Sequence, residues 1–280
     1  IMIRIDKETR GRFGNKVFHY LNLMQLAKFA DIPASCCKWQ GDHYFENLCG
    51  YIDIGGKNVE ELHFDELFDL DNEQLRAKLR NGVAHSVHSY SLHGPFWRVT
   101  FEDPRNFLKI KDEYIPSMAE EKRIGIHIRG GDTRGADGMN GREIHPPEYY
   151  INVINFIEES VKEEKVYYLC TDDPSHDYPS YIETLRHLLK LGVKLVHEPS
   201  KPYISDFATL SECDILISGS STFALAAALI GKENKKIIHS KQFVKQFKNN
   251  HQKWYSSFKA GMFFYDMYSM KSPYYNVELF

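Results

Sequence analysis

Three short segments of this chain combine glycine, arginine and hydroxyl side chains in a way suited to holding an anion. Arg10-Gly11-Arg12-Phe13-Gly14-Asn15-Lys16 stands between a strand-like run and a helix-like run. Backbone N–H groups and the positive end of a helix can meet an anion or a sugar there, and glycine lets the backbone come close to a ligand. An ordinary strand-to-helix turn would use the same residues, and the dinucleotide fingerprint GxGxxG does not occur. Ile124-Gly125-Ile126-His127-Ile128-Arg129-Gly130-Gly131-Asp132 reads as a buried strand closed by Arg, two glycines and Asp. Ligands of open α/β sheets bind outside the carboxyl ends of strands, where Arg129 would offer phosphate oxygens a planar fork of donors. An Arg129–Asp132 ion pair that only closes the strand is the alternative. Asp214-Ile215-Leu216-Ile217-Ser218-Gly219-Ser220-Ser221-Thr222-Phe223-Ala224 carries a strand through a hydroxyl-rich turn into an apolar helix. Such a helix start suits a diphosphate, and it equally suits a plain N-cap, worth about 1 kcal/mol without any ligand.

Other candidates are thinner. Thr171-Asp172-Asp173-Pro174 follows a strand-like run and reads either as part of a site or as a loop with an Asp cap. Asp69-Leu70-Asp71 is an Asp-x-Asp pair, but it follows a helical run instead of an apolar strand, which argues against a divalent-metal site. Cys36, Cys37, His43 and Cys49 lack a CxxC pair, and adjacent cysteines are poor tetrahedral partners for zinc. No metal is expected. The aromatic tail from Trp254 to Tyr275 reads as a terminal helix and strap packing onto the first half, with stacking of its rings on sugars as the alternative.

These segments need a scaffold of alternating strands and helices. In the second half, strands are expected at 123–129, 166–170, 193–197, 214–218 and 236–239, with helices at 147–161, 181–191 and 223–230. That alternation predicts a parallel sheet wrapped by helices, a Rossmann-like unit from about residue 119 onward. The first half opens with a strand at 2–6 and a helix whose Val17, Tyr20, Leu21, Met24 and Ala27 share one face. A strand at 32–37, helices at 58–68 and 73–80 and a strand at 85–89 follow. The Pro and charge cluster at 109–122 is the expected linker. This gives an N-terminal Rossmann-like domain, 1–118, and a C-terminal Rossmann-like domain, 119–280, whose terminal segment packs back on the first.

Composition bounds the function classes. With 280 residues, 42% hydrophobic and 26% charged, the chain is long and apolar enough for a sizeable core. The balance of 35 Lys+Arg against 38 Asp+Glu leaves a net charge of −3, so no global pull toward nucleic acid exists. The longest apolar run, Phe223 to Ile230, falls far short of the roughly 20 residues of a membrane span. No leader is recognisable, and five cysteines, an odd count, suit a reducing compartment, so a cytoplasmic location is expected.

In order and spacing, GRFGNK, HIRGGD and GSSTF together resemble the fucosyltransferase superfamily, the bacterial alpha-1,2-fucosyltransferases and protein O-fucosyltransferases. That family's patterns are similar to GR(L/F)GNQ, H(V/I)RRGD and S(N/S)STF, and the likeness runs from about Gly11 to Ile238. Thr171-Asp172-Asp173 resembles its (S/T)DD segment. The resemblance implies an α/β, GT-B-like glycosyltransferase acting with inversion: two Rossmann-like halves with a cleft between them, 1–118 on the acceptor side and 119–280 binding the nucleotide sugar. It implies a nucleotide-sugar donor, GDP-fucose first or a UDP-sugar such as UDP-xylose, and a glycan acceptor. The donor serves as substrate, with no cofactor and no metal. A non-catalytic nucleotide-sugar or glycan-binding protein on the same scaffold is the rival reading. Carried over by position, Arg129 binds the diphosphate, Ser221 and Thr222 the phosphates, Asp214 the base or ribose, and Gly14 with Asn15 the donor. Lys16, His127, Asp172, Ser220 and Phe223 complete the donor-binding set. Asp132 is the first choice for general base and Glu143 the second, with Asp137, His145, Asp42 and His43 further candidates. The chain departs from the pattern at Gly130, where the second Arg would stand, at Lys16 in place of Gln, and at Ala224-Leu225-Ala226-Ala227-Ala228 in place of a tryptophan-rich stretch.

Overall fold

The computed structural model describes residues 2–7, 11–53, 59–63, 67, 70–88, 103–130, 145–171, 177–198, 202–219, 221–232, 236–240 and 262–265. These fall into two units, one within Ile1–Lys111 and the other starting at Asp112.

In the first unit, β1 (Met2–Ile5), β2 (Ala34–Cys36), β4 (Val59–His63) and β5 (Ala84–His88) form a parallel sheet in the order β2-β1-β5-β4. A separate antiparallel pair joins β3 (Phe45–Glu46) to β6 (Lys109–Ile110), so the expected linker begins as ordered strand. Helix α1 (Phe13–Ala30) connects β1 to β2 and stops where Asp31 turns left-handed at φ 54°, its N–H returning to Ala27 and Lys28. Of the expected apolar face of α1, Val17, Tyr20, Leu21 and Ala27 are buried and Met24 is half-buried, while His19, Asn22 and Gln25 on its other sides are buried as well. Its first residue, Phe13, stacks on Trp39 and Phe45 with centroids 6.4 and 5.8 Å away, and Tyr20 stacks on Trp39 at 5.5 Å. Helix α2 (Asn72–Leu79) begins at a capping box in which the Asp71 carboxylate accepts from the Gln74 N–H at 2.8 Å and Gln74 Oε1 accepts from the Asp71 N–H at 3.1 Å.

The helix expected at 58–68 is corrected over 59–63, which form the strand β4, while Leu67, the other described residue of that range, is helical. Five registered pairs with β5, from Val59↔Ala84 to His63↔His88, outweigh the local helical spacing. Leu62 is buried, whereas Val59 and Glu61 face solvent. Glu60 accepts from Lys78 Nζ at 2.8 Å and Asn81 Nδ2 at 3.2 Å, tying the edge strand to α2 and the residues after it.

The second unit contains β7 (Lys122–Ile128), α3 (Pro147–Ser160), β8 (Lys165–Thr171), α4 (Pro179–Leu191) and β9 (Lys194–Val196). After these come α5 (Tyr203–Glu212), β10 (Ile215–Ser218), α6 (Thr222–Ile230), β11 (Lys236–Ser240) and β12 (Met262–Tyr265). Six strands lie parallel in the order β12-β11-β10-β7-β8-β9, the doubly wound arrangement the alternation predicts. Of the aromatic tail only 262–265 are described, and they form the edge strand β12; the rest of that expectation lies outside the described residues.

Alternation along β7 sorts its side chains. Ile124, Ile126 and Ile128 face α3 and α4, packing with Ile215, Ile217, Tyr149, Val153, Ile154 and Leu188 in one buried cluster. Each such side chain contributes about 1.5–3 kcal/mol of transfer free energy. Gly125 and His127 face the other way, Gly125 against Leu210 and Cys213 and His127 against Phe223 of α6. Asp214 joins the amino ends of three strands. Its carboxylate accepts from the Arg123 N–H at 2.8 Å and pairs with Lys232, its N–H donates to the Arg123 carbonyl, and its own carbonyl accepts from Lys236.

Two pH effects follow. Burial holds the His85 imidazole below its ordinary pKa of 6.5 against the opposing pull of Glu60, 3.4 Å from Nδ1. The unfolded chain therefore takes up a proton that the folded chain refuses, and stability falls as pH drops below about 6.5. Denaturant unfolding of His85→Gln should lose about 1 kcal/mol less than wild type between pH 7.5 and 5.5; equal losses would show that His85 does not set this slope. At Asp214 burial works to raise the pKa, but Lys232 and Arg123 prevail and hold the carboxyl below 3.8. Its contribution is complete above that ordinary value and fades as pH falls through the lowered one. Asp214→Asn should cost about 1–3 kcal/mol at neutral pH, and the gap to wild type should close in acid. A gap that stays constant down to pH 2 would contradict the assignment.

Candidate functional site

Strand order in the second sheet reverses between β7 and β10: chain-successive strands run outward from β7 through β8 to β9 on one side, and from β10 through β11 to β12 on the other. In open α/β sheets the crevice outside the carboxyl ends at this reversal is where ligands bind. His127 is in register with Ser218, so the segments that follow each strand leave the sheet side by side. One is Arg129 and the buried Gly130; the other begins at Gly219, and Ser221 caps α6. Arg129 is half-buried, which suits a side chain that must reach a ligand from a fixed base.

The start of α6 is built by Ser221, whose Oγ accepts from the Ala224 N–H at 3.3 Å. Accepting this bond leaves the Ser221 hydroxyl proton available for donation. Thr222 and Phe223 are half-buried in the first turn. Phe223 lies between His127 and Phe207, with ring centroids 5.3 and 5.1 Å away. His127, 1% exposed, therefore supports the floor of the site and does not line its surface.

Tyrosine hydroxyls fasten the strand ends, a feature that reading the sequence did not single out. Tyr149 Oη donates to the Ser218 carbonyl at 2.8 Å, and Tyr178 Oη donates to the Ile128 carbonyl at 3.1 Å while lying 2.5 Å from Thr171 Oγ1. The available signal was the Pro146-Pro147-Glu148-Tyr149-Tyr150 helix start, whose paired aromatics read as core. Gly219 fits beneath these groups because a Cβ there would come within 2.8 Å of Tyr150 Oη and 3.3 Å of the His145 ring.

In the first unit, the Gly11–Lys16 segment forms the expected strand-to-helix turn. Gly11 adopts φ +153°, and a Cβ on it would come within 3.1 Å of the Asn15 side chain. The N–H groups of Asn15 and Lys16 both donate to the Arg12 carbonyl, at 2.9 and 3.2 Å. Gly14 is buried, and Lys16 Nζ donates to Gln40 Oε1 at 3.4 Å.

The structure thus gathers Arg129, His127, Ser221, Thr222 and Phe223 at the carboxyl side of the second sheet, and places Gly14, Asn15 and Lys16 in the first unit. Asp214 is not among them. It stands before β10, at the amino end of the strand, where Arg123 and Lys232 engage its carboxylate, so its expected place beside a base or ribose is corrected. Asp132, Glu143, Asp172 and Ser220 lie outside the described residues, as do Asp137 and Asp173. Asp42 accepts from the Trp39 N–H at 3.3 Å, and Lys111 binds the His43 carbonyl at 2.8 Å. Asp71 of the Asp-x-Asp pair is the cap of α2. Burial raises the thiol pKa of Cys36 and Cys49, which keeps them protonated and poor as metal ligands. No helix among the described residues is long and apolar enough to cross a membrane.

Neither a scan against protein-family models nor a search of curated proteins matches the sequence. Solved structures do match. POFUT1 in complex with GDP-fucose shares 12% identity over 85% of this chain and 97% of its own, with a TM-score of 0.56. POFUT1 in complex with GDP gives 11%, 85%, 97% and 0.55. A variant of Arabidopsis thaliana FUT1 in complex with GDP shares 15% identity over 82% of this chain and 68% of its own, with a TM-score of 0.54. The chain has the α/β fold of these fucosyltransferases.

Proposed function

We propose that the chain is an inverting glycosyltransferase that moves a sugar from a nucleotide sugar, GDP-fucose first, to a hydroxyl of a glycan acceptor. The observation that carries this reading is the reversal of strand order between β7 and β10, with Arg129 leaving one strand and the Ser221-capped start of α6 following the other. Support comes from similarly folded POFUT1, solved with GDP-fucose and with GDP. In the reaction the acceptor oxygen attacks the anomeric carbon, the bond from that carbon to the diphosphate breaks, and the acceptor proton passes to a base. Charge builds on the leaving diphosphate as its bond to the sugar lengthens. The Arg129 guanidinium and the positive end of α6 are placed to stabilise that charge, and their contact strengthens most in the transition state. The proton is assigned to Asp132, with Glu143 second. The chemistry needs no metal in this reading, since Arg129 supplies the positive charge. We place the reaction in glycan biosynthesis in the cytoplasm.

A second reading rests on Gly130, which is buried where the resembling pattern carries a second Arg. With one guanidinium fewer, the donor could be a UDP-sugar, or the chain could bind a nucleotide sugar without turning it over.

Parallel calorimetric titrations with GDP, UDP and ADP should give micromolar binding for one of them, and silence from all three at millimolar concentration would end the transferase reading. With the donor fixed, Arg129→Ala should lose about 3–4 kcal/mol of transition-state stabilisation, a turnover loss of about 100- to 1000-fold. Arg129→Lys keeps the charge without the fork and should recover only part. Chelation by EDTA should leave turnover unchanged. Loss in EDTA with recovery in Mn²⁺, or near-normal turnover in Arg129→Ala, would contradict this account.

A further inference from the structure

The turn after β10 is shaped by side chains that belong to a different helix. Tyr149 and Tyr150 open α3, His145 precedes it, and all three are buried, at 0%, 1% and 4% exposure. Their rings form an edge-to-face stack, with centroids 5.1 Å apart for His145–Tyr149 and 4.9 Å for Tyr149–Tyr150. The Ser180 hydroxyl holds the His145 carbonyl from α4. From this fixed stack the Tyr149 hydroxyl reaches the Ser218 carbonyl at 2.8 Å, while the Tyr150 hydroxyl and the His145 ring close over Gly219.

We propose that Tyr149, Tyr150 and His145 are positioning residues for the phosphate-binding turn. They fix the Ser218–Gly219 peptide, whose Gly219 carbonyl accepts from the Ser221 N–H at 3.2 Å, and with it the direction in which the start of α6 meets a nucleoside diphosphate. The inference rests on the donor-binding reading above and adds to it residues that never touch the donor. Its physical basis is the rigidity of one peptide plane. A trans peptide points its C=O and N–H in opposite directions, so holding the Ser218 carbonyl also fixes the Gly219 N–H at the entrance to the turn. Gly219 is the counterpart of this grip, since any Cβ would collide with the Tyr150 hydroxyl at 2.8 Å. A binding turn set in advance binds more tightly than one that must be ordered by its ligand.

Tyr167 provides the control. It is a fully buried tyrosine of the same core whose hydroxyl donates to Glu158 Oε1 at 2.6 Å, and Glu158 lies near the end of α3 remote from this turn. Calorimetric titration of GDP, or of UDP if GDP gives no heat, is run on wild type, Tyr149→Phe and Tyr167→Phe, with the unfolding midpoint of each. The expected result is a Kd raised about tenfold in Tyr149→Phe and unchanged in Tyr167→Phe, although both lose stability. Gly219→Ala should also weaken binding, and adding Tyr150→Phe to it should restore part of the loss by removing the hydroxyl that the new methyl strikes. A Kd within twofold of wild type in Tyr149→Phe, equal weakening in Tyr167→Phe, or no recovery in the double variant would overturn the positioning role while leaving the donor reading intact. Absence of heat with both nucleotides in wild type would instead overturn the donor reading, and the positioning role with it.

Discussion

Because β7 and β10 are adjacent and parallel yet more than eighty residues apart in the chain, the connections that follow them turn to opposite faces of the sheet. Arg129 follows β7 and the Ser221-capped start of α6 follows β10, both at the carboxyl ends of this pair. The constraint is topological before it is chemical. A parallel pair needs a crossover, right-handed crossovers put helices on a face set by the direction of travel, and a reversal of direction separates them. Arg129 and the start of α6 leave adjacent strands because the strand order reverses there.

The two ends of this sheet are fastened differently. At the amino end, Asp214 gathers Arg123 and Lys232 into ion pairs that also join three strands. The charges there are satisfied internally, which suits a structural fastening. At the carboxyl end the fastening uses neutral phenols, Tyr149 on Ser218 and Tyr178 on Ile128. Neutral donors hold the backbone without spending the positive charge of Arg129 or the helix start, and without adding a negative charge that would repel a diphosphate. One end is thus held by ion pairs and the other by neutral hydrogen bonds.

Much of this was legible in the sequence, for identifiable reasons. β7, β8, β10 and β11 are short apolar runs bounded by glycine, hydroxyl or charged residues, and α3 and α4 carry proline in their first turn. These are local signals, and the structure keeps them within two residues. Asp214 was misplaced because a motif read as a string does not distinguish the two ends of a strand: Asp214 precedes Ile215, so it lies a full strand away from Ser221. The strand β4 was misread because its pairing with β5 is a non-local effect that local sequence does not carry. The tyrosine grip was invisible for a related reason. Tyr149 and Ser218 are 69 residues apart, and nothing in either segment names the other.

The central claim is a location: a nucleoside diphosphate is held at the reversal of strand order in the second unit. A crystal structure of the chain with the nucleoside diphosphate it binds tests this most directly. The account predicts density for the diphosphate outside the carboxyl ends of β7 and β10, with the Arg129 guanidinium on its oxygens and Ser221 and Thr222 at the facing helix start. Diphosphate density at the amino end of the sheet beside Asp214, or density that leaves Arg129 without contact, would contradict it.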